Sequence, residues 1–310
     1  MTRLNSRQTL AYALIPALAM TLSAGLRADQ TMQELLDVLR ENGSVSEADY
    51  ERLIKAAGDD ADVTASAGKF VIESDDGKNS FQPIGRIFWD QLWTRDDGST
   101  AIAEDGAELR RARLGIQGTT LGNWKYKLEY DFAGADADLK DGWIAYGDKL
   151  NSLDAKYEAK VGQHHVPVGL ATISSSKYMT FVRRPLFADG PLSPARQAGL
   201  AAKLHDPDYR WMVVGGYFYN EPGNGTAGGP GDDARTRALR VTGIPLRSAG
   251  DRLLHIGASL LDIDQNGDDF RVRQRAITHL DSSRLFDTGT IVAGVAGVTA
   301  YDIEALALFD

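Results

Sequence analysis

Nine consecutive residues, WKYKLEYDF (124–132), constrain this chain more than any other stretch. Trp124, Tyr126, Leu128, Tyr130 and Phe132 fall on one parity and Lys125, Lys127, Glu129 and Asp131 on the other. A period of two is the signature of a β-strand, so one face is apolar and aromatic while the opposite face is charged throughout. AKYEAKVG (155–162) repeats the device, setting Ala155, Tyr157, Ala159 and Val161 against Lys156, Glu158 and Lys160. Further candidate strands lie near 81–93, 108–118, 139–147, 197–204, 210–219, 237–245, 253–261, 269–277, 290–298 and 301–309, mostly separated by turn-rich residues. Alternation alone admits two folds. A soluble sandwich buries the apolar face, whereas a membrane barrel turns it to lipid and its charges to water.

The rest of the chain favours the barrel. Residues 1–28 read as an export signal: Arg3 and Arg7 precede LAYALIPALAMTL (10–22), which is too short to span a bilayer, and small residues follow up to Ala28. No other segment approaches the roughly 18 continuous apolar residues of a membrane helix, so residence in a membrane requires strands. The chain contains no cysteine, which excludes thiolate nucleophiles, zinc–thiolate sites and disulfide frameworks. Aromatic residues gather near strand ends, as at Trp124, Phe132, Tyr217 and Tyr219.

The formal charge of −9 argues against a nucleic-acid partner. Most of it is local. Residues 29–62 hold ten Asp and Glu against Arg40, Arg52 and Lys55, which accounts for −7. Within 29–57 the spacing predicts a helical hairpin. Met32, Leu35, Leu36 and Leu39 share a face that stops at Asn42-Gly43, and Ser46 opens a second helix carrying Tyr50, Leu53 and Ile54. Residues 58–69 read as a linker, and 70–310 as the strand-built domain.

Two connections are too long for hairpin turns. Residues 220–233 are glycine-rich and read as an exposed loop. Residues 162–194 carry Tyr178, Met179, Phe181 and Phe187, side chains expected to pack against an inner wall if this segment folds into the lumen.

The candidate functional residues are cationic. In FRVRQR (270–275), Arg271, Arg273 and Arg275 are two apart and share a strand face, where three like charges need water or anions to screen them. Arginine's planar fork suits phosphate, donating two hydrogen bonds at once. His164 and His165 do not read as a metal site, because neighbours on a strand face opposite ways and no carboxylate lies in their block. No G-x-S-x-G, H-E-x-x-H or Walker sequence is present, so nothing points to an enzyme or a cofactor.

The blocks GRIFWDQ (85–91), ELRRARLGIQG (108–118), WKYKLEYDFA (124–133), LKDGWIAY (139–146), GQHHVPVGL (162–170), SSSKYMTFVRR (174–184), LLHIGASL (253–260), FRVRQR (270–275) and DTGTI (287–291) resemble, in order and spacing, those of the phosphate-selective porin family of porin O and porin P. The resemblance implies an all-β fold, a sixteen-stranded transmembrane antiparallel barrel of which roughly a dozen strands are covered here, with the helical hairpin in the periplasm and 162–194 as an inserted constriction loop. It implies a homotrimer in the lipid of the bacterial outer membrane, passing phosphate or polyphosphate, and a chain that is a C-terminally incomplete copy. It assigns Arg271, Arg273 and Arg275 to an arginine ladder, and Arg86, Arg110, Arg111, Asp141, Ser176, Lys177 and Arg183 to constriction or ladder positions. Asp141 is expected to hold a neighbouring cation in place. His164 and His165 stand where the family usually has an aromatic and a lysine, and Ile173 where phosphate-specific members have a lysine, departures that weaken tight phosphate selectivity. The competing readings are a general or weakly anion-selective porin and, in a different class, a secreted soluble β-sandwich binding protein.

Overall fold

The computed structural model describes residues 35–42, 45–51, 62–66, 69–93, 105–134, 136–188, 192–219, 235–248, 252–264, 270–274, 286–292, 294 and 296–309. Two compact units divide the chain, one of Met1–Asp62 with Ser74–Asp76 and one of the remainder. Residues 1–28, read as an export signal, Met32, Leu53, Ile54, the stretch 220–233 and Arg275 lie outside the described residues.

The first unit contains helices α1 (35–41) and α2 (47–51). Ser46 caps α2, its hydroxyl accepting from the Asp49 amide at 3.2 Å. The helices are tied by the Tyr50 hydroxyl, which donates to Asp37 at 2.5 Å, and by Arg40 stacked 4.3 Å from the Tyr50 ring. Leu36 is buried, whereas Leu35 and Val38 are exposed.

In the second unit, twelve strands form one sheet: β1 (Asp62–Ser66), β2 (Lys69–Glu73), β3 (Ser80–Leu92), β4 (Gly106–Thr120), β5 (Trp124–Asp131), β6 (Asp138–Leu150), β7 (Ala155–His165), β8 (Arg196–His205), β9 (Trp211–Tyr219), β10 (Arg235–Arg247), β11 (Leu253–Asp264) and, after a pair formed by β12 (Arg273–Gln274) and β13 (Phe286–Asp287), β14 (Gly297–Leu308). From β2 to β11 each strand lies beside its sequence neighbours, and the registered pairs are antiparallel. Turns at one end are short, at 121–123, 151–154, 206–210 and 248–252; at the other end 132–137 is also short, but the remaining connections are long, at 93–105, 166–195, 220–234 and 265–296.

The polarity of this sheet is inverted relative to a water-soluble protein. On β5, Leu128 is 42% exposed and its neighbour Glu129 is 1% exposed. The same holds around the sheet: Ile87, Leu114, Ile144, Leu200, Val241 and Ile303 face outward, whereas Asp141, Glu158, Arg240 and Ser259 are buried. A sandwich would do the reverse, because exposing Leu and burying unpaired carboxylates both cost free energy in water. Outward aromatics collect at both ends of the strands. Trp124, Tyr146 and Tyr157 form a chain of rings beside the short turns, and Tyr217 and Tyr219 meet edge to face beside the long connections.

Three expectations need correction. β1 falls within 58–69, the stretch read as a linker. Of the stretches read as strands at 269–277 and 290–298, the described residues 270–274 and 290–292 do not join the sheet and only Gly297 and Val298 do, as the start of β14, which pairs with β11 along Leu253–Asp264 and satisfies that edge; between β11 and β14, β12 pairs with β13 instead. The aromatics of the β7–β8 connection do not pack on the inner wall either. Tyr178 is 86% and Phe181 80% exposed, and Phe187 is also exposed. The wall contact comes from Val166 and Val168, buried in one cluster with Phe218, Ala238, Leu261 and Ile263 of β9, β10 and β11.

Candidate anion pathway on the inner wall

Alternation sets which side chains reach the inner face, and bulges in β4 and β6 modify it among the candidate residues. Between β3 and β4, Phe88 pairs with Arg111 and Trp89 with Leu109, leaving Arg110 as an extra residue. Strict alternation would send Arg110 outward. Instead its guanidinium meets Asp90 at 2.7 Å, while Arg111 lies 5.1 Å from the ring of Phe88 on the same side. Between β5 and β6, Glu129 pairs with Asp141 and Tyr130 with Leu139, so Lys140 is the extra residue, and its ammonium turns back to Asp138.

At the centre sits Glu129, which holds three cations: Arg113 at 3.1 Å, Lys127 at 3.4 Å and Arg86 at 3.5 Å. Arg113 also reaches Asp131 at 2.8 Å. Asp141 holds Lys127 at 2.8 Å and Arg196 at 3.2 Å. Among the described residues, these contacts bring six cations (Arg86, Arg110, Arg111, Arg113, Lys127, Arg196) together with four carboxylates (Asp90, Glu129, Asp131, Asp141), an excess of two positive charges within this cluster.

The β7–β8 connection crosses to this cluster. A one-turn helix in it, α3 (Leu170–Ile173), leads to Ser175 and Ser176, whose hydroxyls accept from Arg86 at 3.4 and 3.2 Å. Arg184 braces the turn by donating to the carbonyls of Ala171 and Ser174, the latter at 2.6 Å. Lys177 is exposed beside Ser176, and Arg183 is half-buried.

A second cluster centres on Glu158, which meets Lys125 at 3.0 Å, Lys203 at 3.2 Å and Lys160 at 3.5 Å. Glu158, Lys160, Lys203, His164, His165 and Pro167 border a small cavity. His164 is buried, its ring packed edge-on against Phe218 at 5.2 Å. Among the described residues, no three His, Asp or Glu side chains are placed to hold a metal ion.

The sequence-predicted residues thus divide into groups. Arg86, Arg110, Arg111, Asp141 and Ser176 come together at the inner wall, with Lys177 at its edge. Arg271 and Arg273 lie at the β12–β13 pair, outside the twelve-stranded sheet. Arg271 forms a two-pronged pair with Asp287, at 2.7 and 2.5 Å. That hydrogen bonding, helped by the Gly289 amide, holds the Asp287 carboxyl at about 2, well below the ordinary carboxylate range. Sequence reasoning missed Arg113, Lys127, Glu129 and Arg196. The signal for the first three was present, since each shares the parity of the charged face of its strand.

An antiparallel meander that is apolar outside and ion-paired inside, with short turns at one end and long connections at the other, is the wall of a transmembrane β-barrel of the porin type. The family described as phosphate-selective porin O and P matches residues 85–306. The chain belongs to that family. It is 28% identical over 242 residues to an uncharacterized protein of Caulobacter vibrioides, covering 74% of this chain and 46% of the relative. It is also 24% identical over 228 residues to Porin O of Pseudomonas aeruginosa, covering 70% and 50%. The chain spans about half the length of the curated relatives it matches.

Proposed function

We propose that this wall lines an outer-membrane channel for anions of the phosphate class, inorganic phosphate or polyphosphate, with no enzymatic step. The observation that carries the reading is the charge excess on the inner wall, gathered where the β7–β8 connection meets Arg86. Closely spaced forks in a water-filled lumen attract an anion, and the interleaved carboxylates keep any one site from holding it too long. Residues 162–194 act as the constriction, with Ser176 and Lys177 at the anion's path and Arg183 behind them. Arg271, Arg273 and Arg275 form a ladder leading to it. Weak phosphate preference is the second reading, favoured by the carboxylates already bound to the wall cations.

The test is recording of the channel in planar bilayers under a KCl gradient, then with phosphate added. A reversal potential of anion sign and a block of chloride current by millimolar phosphate support the reading. Block without preference over chloride supports the general porin, and cation selectivity refutes both. In the same proposal the helical hairpin within 29–57 sits in the periplasm and assists a homotrimer through Met32, Leu35, Leu36 and Leu39. Deleting 29–57 should therefore weaken the trimer in detergent.

A further inference from the structure

Opposite the cluster at Arg86, the β7–β8 connection has a second point of attachment. Glu304 of β14 is nearly buried and accepts three hydrogen bonds from three directions: from Arg240 of β10, from the His255 ring of β11 at 2.8 Å, and from the backbone amide of Leu170, the first residue of α3. One residue earlier, the Gly169 amide donates to Ser259 of β11 at 3.2 Å.

The surrounding glycines fit this arrangement. Gly257 pairs directly with Glu304, and a Cβ there would lie 2.5 Å from the Glu304 carboxylate, so only glycine leaves the side chain room to fold across β11 toward the connection. Gly169 has φ +51, and a Cβ there would approach the Asp302 carboxylate at 3.4 Å. The connection is therefore held at Gly169 and Leu170 on β11 and β14 and, a few residues later, at Ser175 and Ser176 on β3. Between the two holds α3 is stiffened by Arg184.

We infer that Glu304 is the positioning residue that latches the β7–β8 connection across the lumen, so that it sets the width of the pore without touching the permeating anion. Arg240 and His255 orient the carboxylate, and its free lone pairs take the amide of α3. The inference rests on the channel reading above, but its physical content is separate: whether the connection stays docked. Losing a hydrogen bond to a charged group should shift the docked-to-released ratio by roughly ten- to a hundredfold.

The experiment uses the purified full chain in detergent and in planar bilayers, comparing wild type with Glu304→Ala and Ser259→Ala. Trypsin cleavage after the exposed Lys177 reports release directly. In Glu304→Ala it should accelerate by roughly ten- to a hundredfold, conductance should rise and grow noisy, and phosphate block should weaken while the wall retains its anion preference. Ser259→Ala removes only the bond to Gly169 and leaves the Arg240–Glu304 pair intact, so it tests the latch even if Glu304→Ala fails to fold. Its cleavage should accelerate by roughly two- to tenfold. Wild-type cleavage rates and conductance in Ser259→Ala, or in a folded Glu304→Ala, overturn the latch. A wild-type channel lacking anion preference overturns the channel reading instead, and cleavage would still report on the latch.

Discussion

Replacing Glu129 with Gln should push stability and selectivity in opposite directions. The carboxylate is almost fully buried and bridges Arg113, Lys127 and Arg86. Gln keeps the acceptor oxygen and the shape but removes the charge, leaving three cations facing one another. Breaking a buried pair by removing one partner costs about 3–5 kcal/mol, and the retained acceptor places this variant near the lower end, at about 3 kcal/mol. The cluster's excess positive charge rises from two to three. Seen by an ion about 8 Å away through water, one added unit charge is worth about 0.5 kcal/mol before screening, or roughly fivefold in the local anion-to-cation ratio. At physiological salt, where the Debye length is about 8 Å, this falls to roughly twofold. Chemical unfolding in detergent micelles measures the first effect. Reversal potentials in a KCl gradient at low and at physiological ionic strength measure the second. An unchanged reversal potential at low salt would refute the assignment of Glu129 to the lumen, and unchanged stability would refute its role as the hub of the cluster.

Because the chain has no native cysteine, single cysteines give clean labelling in lipid: at Lys125 or Lys127 a water-soluble thiol reagent should react, and at Tyr126 or Leu128 it should not, the reverse pattern restoring the soluble sandwich. Changing Arg271, Arg273 and Arg275 together to Ala should lower anion over cation selectivity while folding survives, whereas Lys177→Ala should weaken phosphate block more than bulk selectivity; a triple variant with unchanged selectivity and block removes the ladder. The Arg271–Asp287 pair gives a pH signature. Asp287 is held at about 2 by Arg271, so the pairing is fully present above the ordinary carboxylate range and is lost as pH falls through about 2. Arg271→Ala should return the Asp287 titration, followed by NMR, toward about 4, and a midpoint that stays put refutes the pairing.

The wall was legible because its information is local. In WKYKLEYDF every residue's parity states its face, and the structure keeps that assignment from Lys125 to Asp131. Arg86, Arg110, Arg111 and Asp141 entered through family resemblance, and their partners were readable from parity alone, as with Glu129 and Lys127. Long-range information was not legible. That Arg273 and Gln274 would pair with Phe286 and Asp287 rather than with β11 depended on β14 occupying that edge, which no property of FRVRQR records. Nor did the connection at 162–194 announce how it docks. Its aromatics looked like the anchors, but backbone amides at Gly169 and Leu170 and small hydroxyls at Ser175 and Ser176 do the work, and an amide carries no sequence signal.

The bulge at Arg110 has a consequence for how such a wall changes length. Deleting or inserting one residue elsewhere in β4 would flip every later side chain through the sheet and send charges into lipid. Deleting Arg110 would not. Leu109 already pairs with Trp89 and Arg111 with Phe88, so removing the residue between them restores ordinary pairing with every other side chain on its original face. Lys140 on β6 has the same property, lying between Leu139 opposite Tyr130 and Asp141 opposite Glu129. At these two positions the strand tolerates a change of one codon in length, and in both the additional residue is a cation. A lumen built this way can gain or lose positive charge by single-residue indels, leaving strand count, register and the lipid-facing surface untouched.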